Sequence, residues 1–247
     1  MKSHNFTPEA FARHAIKVLK THADPIRAKQ GQKYFKDQVF ILGFTAGKFR
    51  QVANGLFGLI KPYWTHDEAL ALCDLMLPDL YLEVKGLSIY ILEQFIKSLQ
   101  KKHLSLIKQW IDKNYCDNWA SIDSMCTYII SPLIGFYPEL VDEVACWAHE
   151  DNPWLRRASA VAFVKHVRKG RHIETVHRIA NTLFADNNDL VQKANGWLLR
   201  ESGKKDMKNL EKFLLKHGKT IPRTTLRYAI EKFPDIKRKE ILVKTRG

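Results

Sequence analysis

DNPWLRRASAVAF at residues 151–163 and NNDLVQKANGWLL at residues 187–199 are two versions of one segment. Each opens on Asp or Asn side chains, which can accept hydrogen bonds from the free N–H groups at a helix start. Each then carries apolar residues three and four apart, the helical period, with no alternation of the strand kind. DLYLEVKGLSIYIL at 79–92 and DNWASIDSMCTYII at 117–130 repeat the opening. The starts, Asp79, Asp117, Asp151 and Asn187, are separated by 38, 34 and 36 residues. A second amphipathic segment follows each of the first three: HLSLIKQWIDK, PELVDEVACWAHE and HIETVHRIANTLF. A two-helix unit at that period predicts an all-α fold, an α-solenoid of HEAT-like two-helix repeats with a concave basic groove. An irregular helical bundle is the alternative, and it has no need of so regular a phase.

Outward from the repeats, the same punctuation continues. Thr7-Pro8-Glu9 places a capping hydroxyl before a proline at the first helical position. Thr65-His66-Asp67-Glu68 reads as a capping box. Stops are expected at Gly135, Gly170, Gly203 and Gly218, and before Pro78 and Pro234. The expectation is a single helical-repeat domain over 1–247. Its N-terminal helices run from about 7 to 62, its repeats from about 65 to 217 and its C-terminal helices from about 221 to 245.

Forty Lys and Arg stand against 26 Asp and Glu, a net charge of +14. Such an excess attracts polyanions, and nucleic acid leads among them. No apolar run approaches the roughly 20 residues of a spanning helix, so a membrane partner is not expected. The opening MKSHNFTPEAFARHA has no secretory pattern. Four cysteines lie in apolar helical stretches without a CxxC pair, which reads as buried free thiols in a reducing compartment and a cytoplasmic, nucleoid-associated location. The ten histidines form no HExxH, and His172 and His177 fall on different helix faces. Neither a metal nor any other cofactor is expected, and monomer is the default.

The sixth residue after each repeat start gives the column Lys85, Asp123, Arg157, Lys193. A lone carboxylate among cations has its charged form favoured, so Asp123 is expected to be ionised at neutral pH. The alternative is a salt-bridged face that ties neighbouring repeats together. Trp119 precedes Asp123 by four residues and Trp197 follows Lys193 by four, so each pair shares a helix face. Trp154 precedes Arg157 by three, whereas Trp110 and Trp147 lie in apolar stripes and read as core. Lys33, Lys36, Lys48, Arg50, Lys165, Arg168, Lys204, Lys205 and Lys208 add cations, as does the tail IKRKEILVKTRG. Spread over several repeats, they suit a track of phosphate contacts.

YFKDQVFILG with the following GKFRQ, NWASIDS, DNPWLRRASA and QKANGWLLRE, in this order and spacing, resemble the AlkD-type DNA alkylation repair glycosylases. The resemblance runs from Ala28 to Arg227. It implies that Trp119 and Asp123 are the catalytic pair, that Trp197 is a second groove tryptophan and catalytic with them, that Arg157 contacts the backbone beside the lesion and that Tyr34 lines the groove. The family pattern departs from this chain at two places. It has a second tryptophan where Asn118 stands, and a glutamine where Thr45 stands, at the position that meets the undamaged strand. Relatives that lack the tryptophan–aspartate pair bind branched DNA without removing a base; this chain keeps the pair.

The chemistry this implies needs one carboxylate where ordinary glycoside hydrolysis uses two. A purine alkylated at N3 or N7 already carries positive charge, so the leaving group needs no proton. An ionised Asp123 can stabilise the developing sugar cation and orient water. The indoles offer cation–π faces worth ~0.5–2 kcal/mol each. Most enzymes of base chemistry flip the base into a pocket; the resemblance implies that this family need not. Double-stranded DNA containing alkylated bases is the expected partner, with Lys85, Lys193 and Arg157 on the flanking phosphates. Two other classes stay open on the residues alone: a non-catalytic module for bent or branched DNA, and a scaffold for acidic proteins.

Overall fold

The computed structural model describes residues 6–246. Among the described residues there is no strand, only an isolated bridge between Phe40 and Tyr81, and helix follows helix throughout. The chain is all-α and is built of the two-helix repeats read from the sequence. Repeat helices begin at Leu82, Trp119, Pro153 and Asp189, two or three residues after the starts marked above. Backbone contacts group into two compact units, with the break between Ile129 and Ile130.

The first unit contains α1 (Pro8–Thr21), α2 (Pro25–Gln32), α3 (Ala46–Ile60), α4 (His66–Met76), α5 (Leu82–Gln94), α6 (His103–Asp112) and α7 (Trp119–Met125). The caps are those expected. The Thr7 hydroxyl accepts from the Ala10 N–H, and Thr65 with Glu68 forms a complete capping box. Helix α5 is the packing centre, in contact with α3, α4 and α7. Val84, Leu87, Ile91 and Leu92 of α5 are wholly buried. Each such side chain contributes roughly 1.5–3 kcal/mol relative to exposure.

The second unit contains α8 (Ser131–Phe136), α9 (Leu140–Cys146), α10 (Pro153–Val161), α11 (Val164–Val167), α12 (Ile173–Thr182), α13 (Asp189–Gly203), α14 (Met207–His217), α15 (Arg223–Ala229) and α16 (Asp235–Lys244). Asn152 and Asn188 cap α10 and α13 through their side-chain oxygens. Helix α13 packs on α10, α12, α14 and α15. Its contact with α15 depends on Gly196, where a Cβ would lie 2.4 Å from Cβ of Tyr228 and 2.6 Å from the Thr225 carbonyl oxygen. The basic tail is not loose: α16 buries Ile241 in a cluster with Leu210, Phe213, Leu226 and Phe233. The tryptophans sort as their spacing suggests. Trp110 and Trp147 are core, while Trp119, Trp154 and Trp197 are half-buried.

Candidate functional site

In the first unit the candidate residues stand on α7. Asn118 starts this helix: its side-chain oxygen accepts from the Ser121 N–H at 3.0 Å, and the Ser121 hydroxyl donates back to the Asn118 carbonyl at 2.9 Å. The side chain is buried and donates to Asp117 at 3.1 Å. The departure at Asn118 therefore has a physical role, since asparagine is among the strongest N-caps and an indole cannot accept from N–H groups. Trp119 is the first residue of α7 and Asp123 lies one turn on, both half-buried. The main chain after Asp123 widens at once into a π-helical turn, Cys126–Ile130. Such turns occur mostly singly and often at functional sites.

Lys85 is where the sequence expectation has to be corrected. Its side chain is 3% exposed, and its ammonium donates to the carbonyls of Leu77 and Tyr115, both at 2.8 Å, with Asp117 at 3.4 Å. An ammonium committed in this way holds protein, not phosphate. Leu77 caps the C-terminus of α4, and Tyr115 lies in the turn that leads into α7. Lys85 thus fixes where α7 begins. Beside it the Cys116 thiol is pushed up to about 12, chiefly by burial.

Two positions further back on α5, Glu83 organises another loop. Its carboxylate is buried and accepts from the backbone N–H groups of Leu42 at 2.8 Å, Gly43 at 2.9 Å and Phe44 at 3.3 Å. Gly43 has φ +90°, and a Cβ there would lie 2.2 Å from the Asp24 carbonyl oxygen, so only glycine fits. Thr45, expected to touch DNA, is exposed and caps α3 by accepting from the Lys48 N–H at 3.2 Å. Lys48 and Arg50 are exposed on the first turns of α3, and Tyr34 is 79% exposed just after α2. Phe35, unremarked in the sequence, stacks on Trp119 with ring centres 5.0 Å apart and planes 21° from parallel.

In the second unit Trp197 is half-buried on α13, and Lys193, one turn before it, pairs with Asp189 at 2.7 Å. Arg157 is 6% exposed, and its guanidinium donates to the Leu190 carbonyl. This also corrects the expectation: as placed, Arg157 ties α10 to the start of α13 and does not present itself to a phosphate. Lys85 and Arg157 occupy the same repeat position, and each reaches a carbonyl near the start of the following repeat. The inter-repeat alternative for this column therefore describes both cations.

Lys165 is exposed. Arg168 is half-exposed but bonded to Glu201 at 2.7 Å, and Lys204 meets the same carboxylate at 2.7 Å. Burial would raise the Glu201 carboxyl, but the bonds from Lys204 and Arg168 outweigh it and hold the group below the usual carboxylate range. Glu201 was not visible as a site feature, because an acid in a helical GWLLRE segment reads as solvent-facing. Lys169, Arg171, Lys205 and Lys208 are exposed.

The described residues thus form an all-helical repeat protein with an excess of cations and a tryptophan–aspartate pair on a capped repeat helix. The model of the family described as DNA alkylation repair enzyme matches residues 15–233. The chain belongs to that family. Among solved structures it is similar to one described as a predicted DNA alkylation repair enzyme from Enterococcus faecalis. The match has a TM-score of 0.76 and 14% identity, and covers 87% of this chain and 98% of that one, a likeness of fold. No curated protein matches the chain. No helix among the described residues is long and apolar enough to cross a membrane.

Proposed function

We propose that this chain is a DNA glycosylase that hydrolyses the N-glycosidic bond of purines alkylated at N3 or N7 in duplex DNA. One observation carries the proposal: Trp119 and Asp123 stand one turn apart on α7, half-buried, on a helix whose start is fixed by Asn118 and Lys85. Family membership supports a repair role, and the net charge of +14 supports DNA as the substrate. In the proposed reaction the cationic base leaves without protonation. As the N-glycosidic bond breaks, positive charge passes to the sugar, where the Asp123 carboxylate stabilises it and orients the attacking water, accepting its proton as the new C1′–O bond forms. The Trp119 indole meets the cation through its π system. Trp197, in the second unit, is assigned contact with DNA in its own right. Lys48, Arg50, Lys165, Lys193 and Tyr34 are assigned to backbone contacts.

The lesion's charge is then the selective feature. Duplexes containing 7-methylguanine or 3-methyladenine should lose base, while neutral ethenoadenine should stay, as followed by HPLC of released base. Comparable rates on the neutral adduct would overturn the charge argument. For Asp123→Asn the single-turnover rate should fall by about 10²–10⁴-fold, as when an acid–base or electrostatic group is lost, with DNA still bound. Full turnover by the folded variant would exclude Asp123 from the chemistry. Binding without any abasic sites from the wild-type chain would favour a non-catalytic DNA module.

A further inference from the structure

Phe35 lies in the segment between α2 and α3, which helical periodicity does not describe. Glu83 holds the far end of that segment, and its near end, up to Val39, is tied by one side chain of α2. Gln32 donates from Nε2 to the Asp37 carbonyl at 2.9 Å and accepts at Oε1 from the Val39 N–H at 2.9 Å. The backbone N–H groups of Tyr34 and Phe35 close onto the last turn of α2 at 3.1 Å and 3.0 Å. This small closed loop points its residues two ways. Lys33, Tyr34 and Lys36 are exposed, whereas Phe35 is half-buried against the Trp119 ring.

We propose that Phe35 is a positioning residue for Trp119: it covers one face of the indole, fixes the ring plane and so decides how the tryptophan meets the lesion. The proposal rests on the glycosylase reading above. Trp119 is the first residue of its helix, where a side chain has a helical neighbour on only one side, so helix geometry alone sets its ring plane weakly. A near-parallel contact at 5.0 Å lies within the favoured range of offset aromatic pairs. With Phe35 on one face, a cationic sugar or base meets the indole at its other face, where the π cloud is negative. The loop that carries Phe35 also carries Lys33, Tyr34 and Lys36 outward, so backbone contact and ring placement depend on the same Gln32 ties.

The test uses the full-length chain and duplex DNA with one 7-methylguanine. In Phe35→Ala, single-turnover base release should fall by about tenfold, equivalent to about 1.4 kcal/mol of barrier, while the Kd for the same duplex changes less than about twofold, since a ring placed only for the reaction adds little to ground-state binding. Phe35→Tyr, which keeps the stack, should restore the rate. In a Trp119→Ala background, Phe35→Ala should cost nothing further, because Phe35 acts only through that ring. The near-UV circular dichroism difference between wild type and Trp119→Phe should also change when Phe35 is alanine, before any DNA is added. Independent, multiplying losses from the two substitutions, a loss confined to Kd, or an unaltered difference spectrum would overturn the proposal alone. No base release from the wild-type chain would overturn the glycosylase reading and take this role with it.

Discussion

Replacing Lys85 by methionine separates two roles that the sequence could not tell apart. Methionine keeps the unbranched stem in its 3%-exposed channel but removes the donors to the Leu77 and Tyr115 carbonyls. Each carbonyl left without a partner costs ~1–3 kcal/mol. Part of that is offset because no ammonium need then be desolvated. The net destabilisation should be about 2–4 kcal/mol, or about 4–16 °C in Tm for a chain of this size. Thermal unfolding followed by far-UV circular dichroism gives that shift. The complementary measurement is the slope of log Kd against log salt for a DNA duplex, which should stay at the wild-type value. A phosphate ligand behaves oppositely: its loss lowers the slope by about 0.9 and leaves Tm alone. A reduced slope with an unchanged Tm would refute the assignment of Lys85 to the protein interior.

Gly43→Ala should destabilise by on the order of 3 kcal/mol or more, because the added Cβ both meets the Asp24 carbonyl and occupies a positive-φ position; an unshifted denaturation midpoint would contradict this. Of the four thiols expected to be buried, Cys146 is exposed, so with a thiol reagent at pH 8 the native chain should label there, while Cys73, Cys116 and Cys126 react only after unfolding. Burial raises Cys73 and Cys116, the latter to about 12, so the folded chain keeps protons there that an unfolded chain loses above the ordinary thiol pKa of about 8.5. Stability present below that pKa should accordingly decline from pH 8 to pH 10, and a flat urea midpoint over that range would count against buried neutral thiols.

Much of the architecture could be read from a handful of capping side chains. Thr7, Thr65, Asn152 and Asn188 each begin a helix as their chemistry requires, and Gly218 caps the end of α14. The pairing of Trp119 with Asp123 followed from spacing, since four residues return a helix to the same face. What the cations face did not follow. Periodicity fixes which side of α5 Lys85 occupies but not that the Tyr115 carbonyl, thirty residues on, waits there. The same holds for Arg157 and Leu190. Phe35 was hidden for another reason: its loop is ordered by one glutamine side chain, and no propensity or repeat pattern encodes such a tie.

Helix α5 bears on how this chain tolerates changes of length. Glu83 and Lys85 are two residues apart, about 200° around the helix, and they grip opposite neighbours, the Leu42–Phe44 strip and the turn at Tyr115. One inserted or deleted residue between them would swing one grip by about 100° relative to the other and release whichever strip it held. Surface connections can lengthen or shorten at little energetic cost, but the opening turn of α5 is phase-locked. An insertion scan should find it among the most intolerant stretches of the chain, although neither of its two anchoring side chains is assigned to the chemistry.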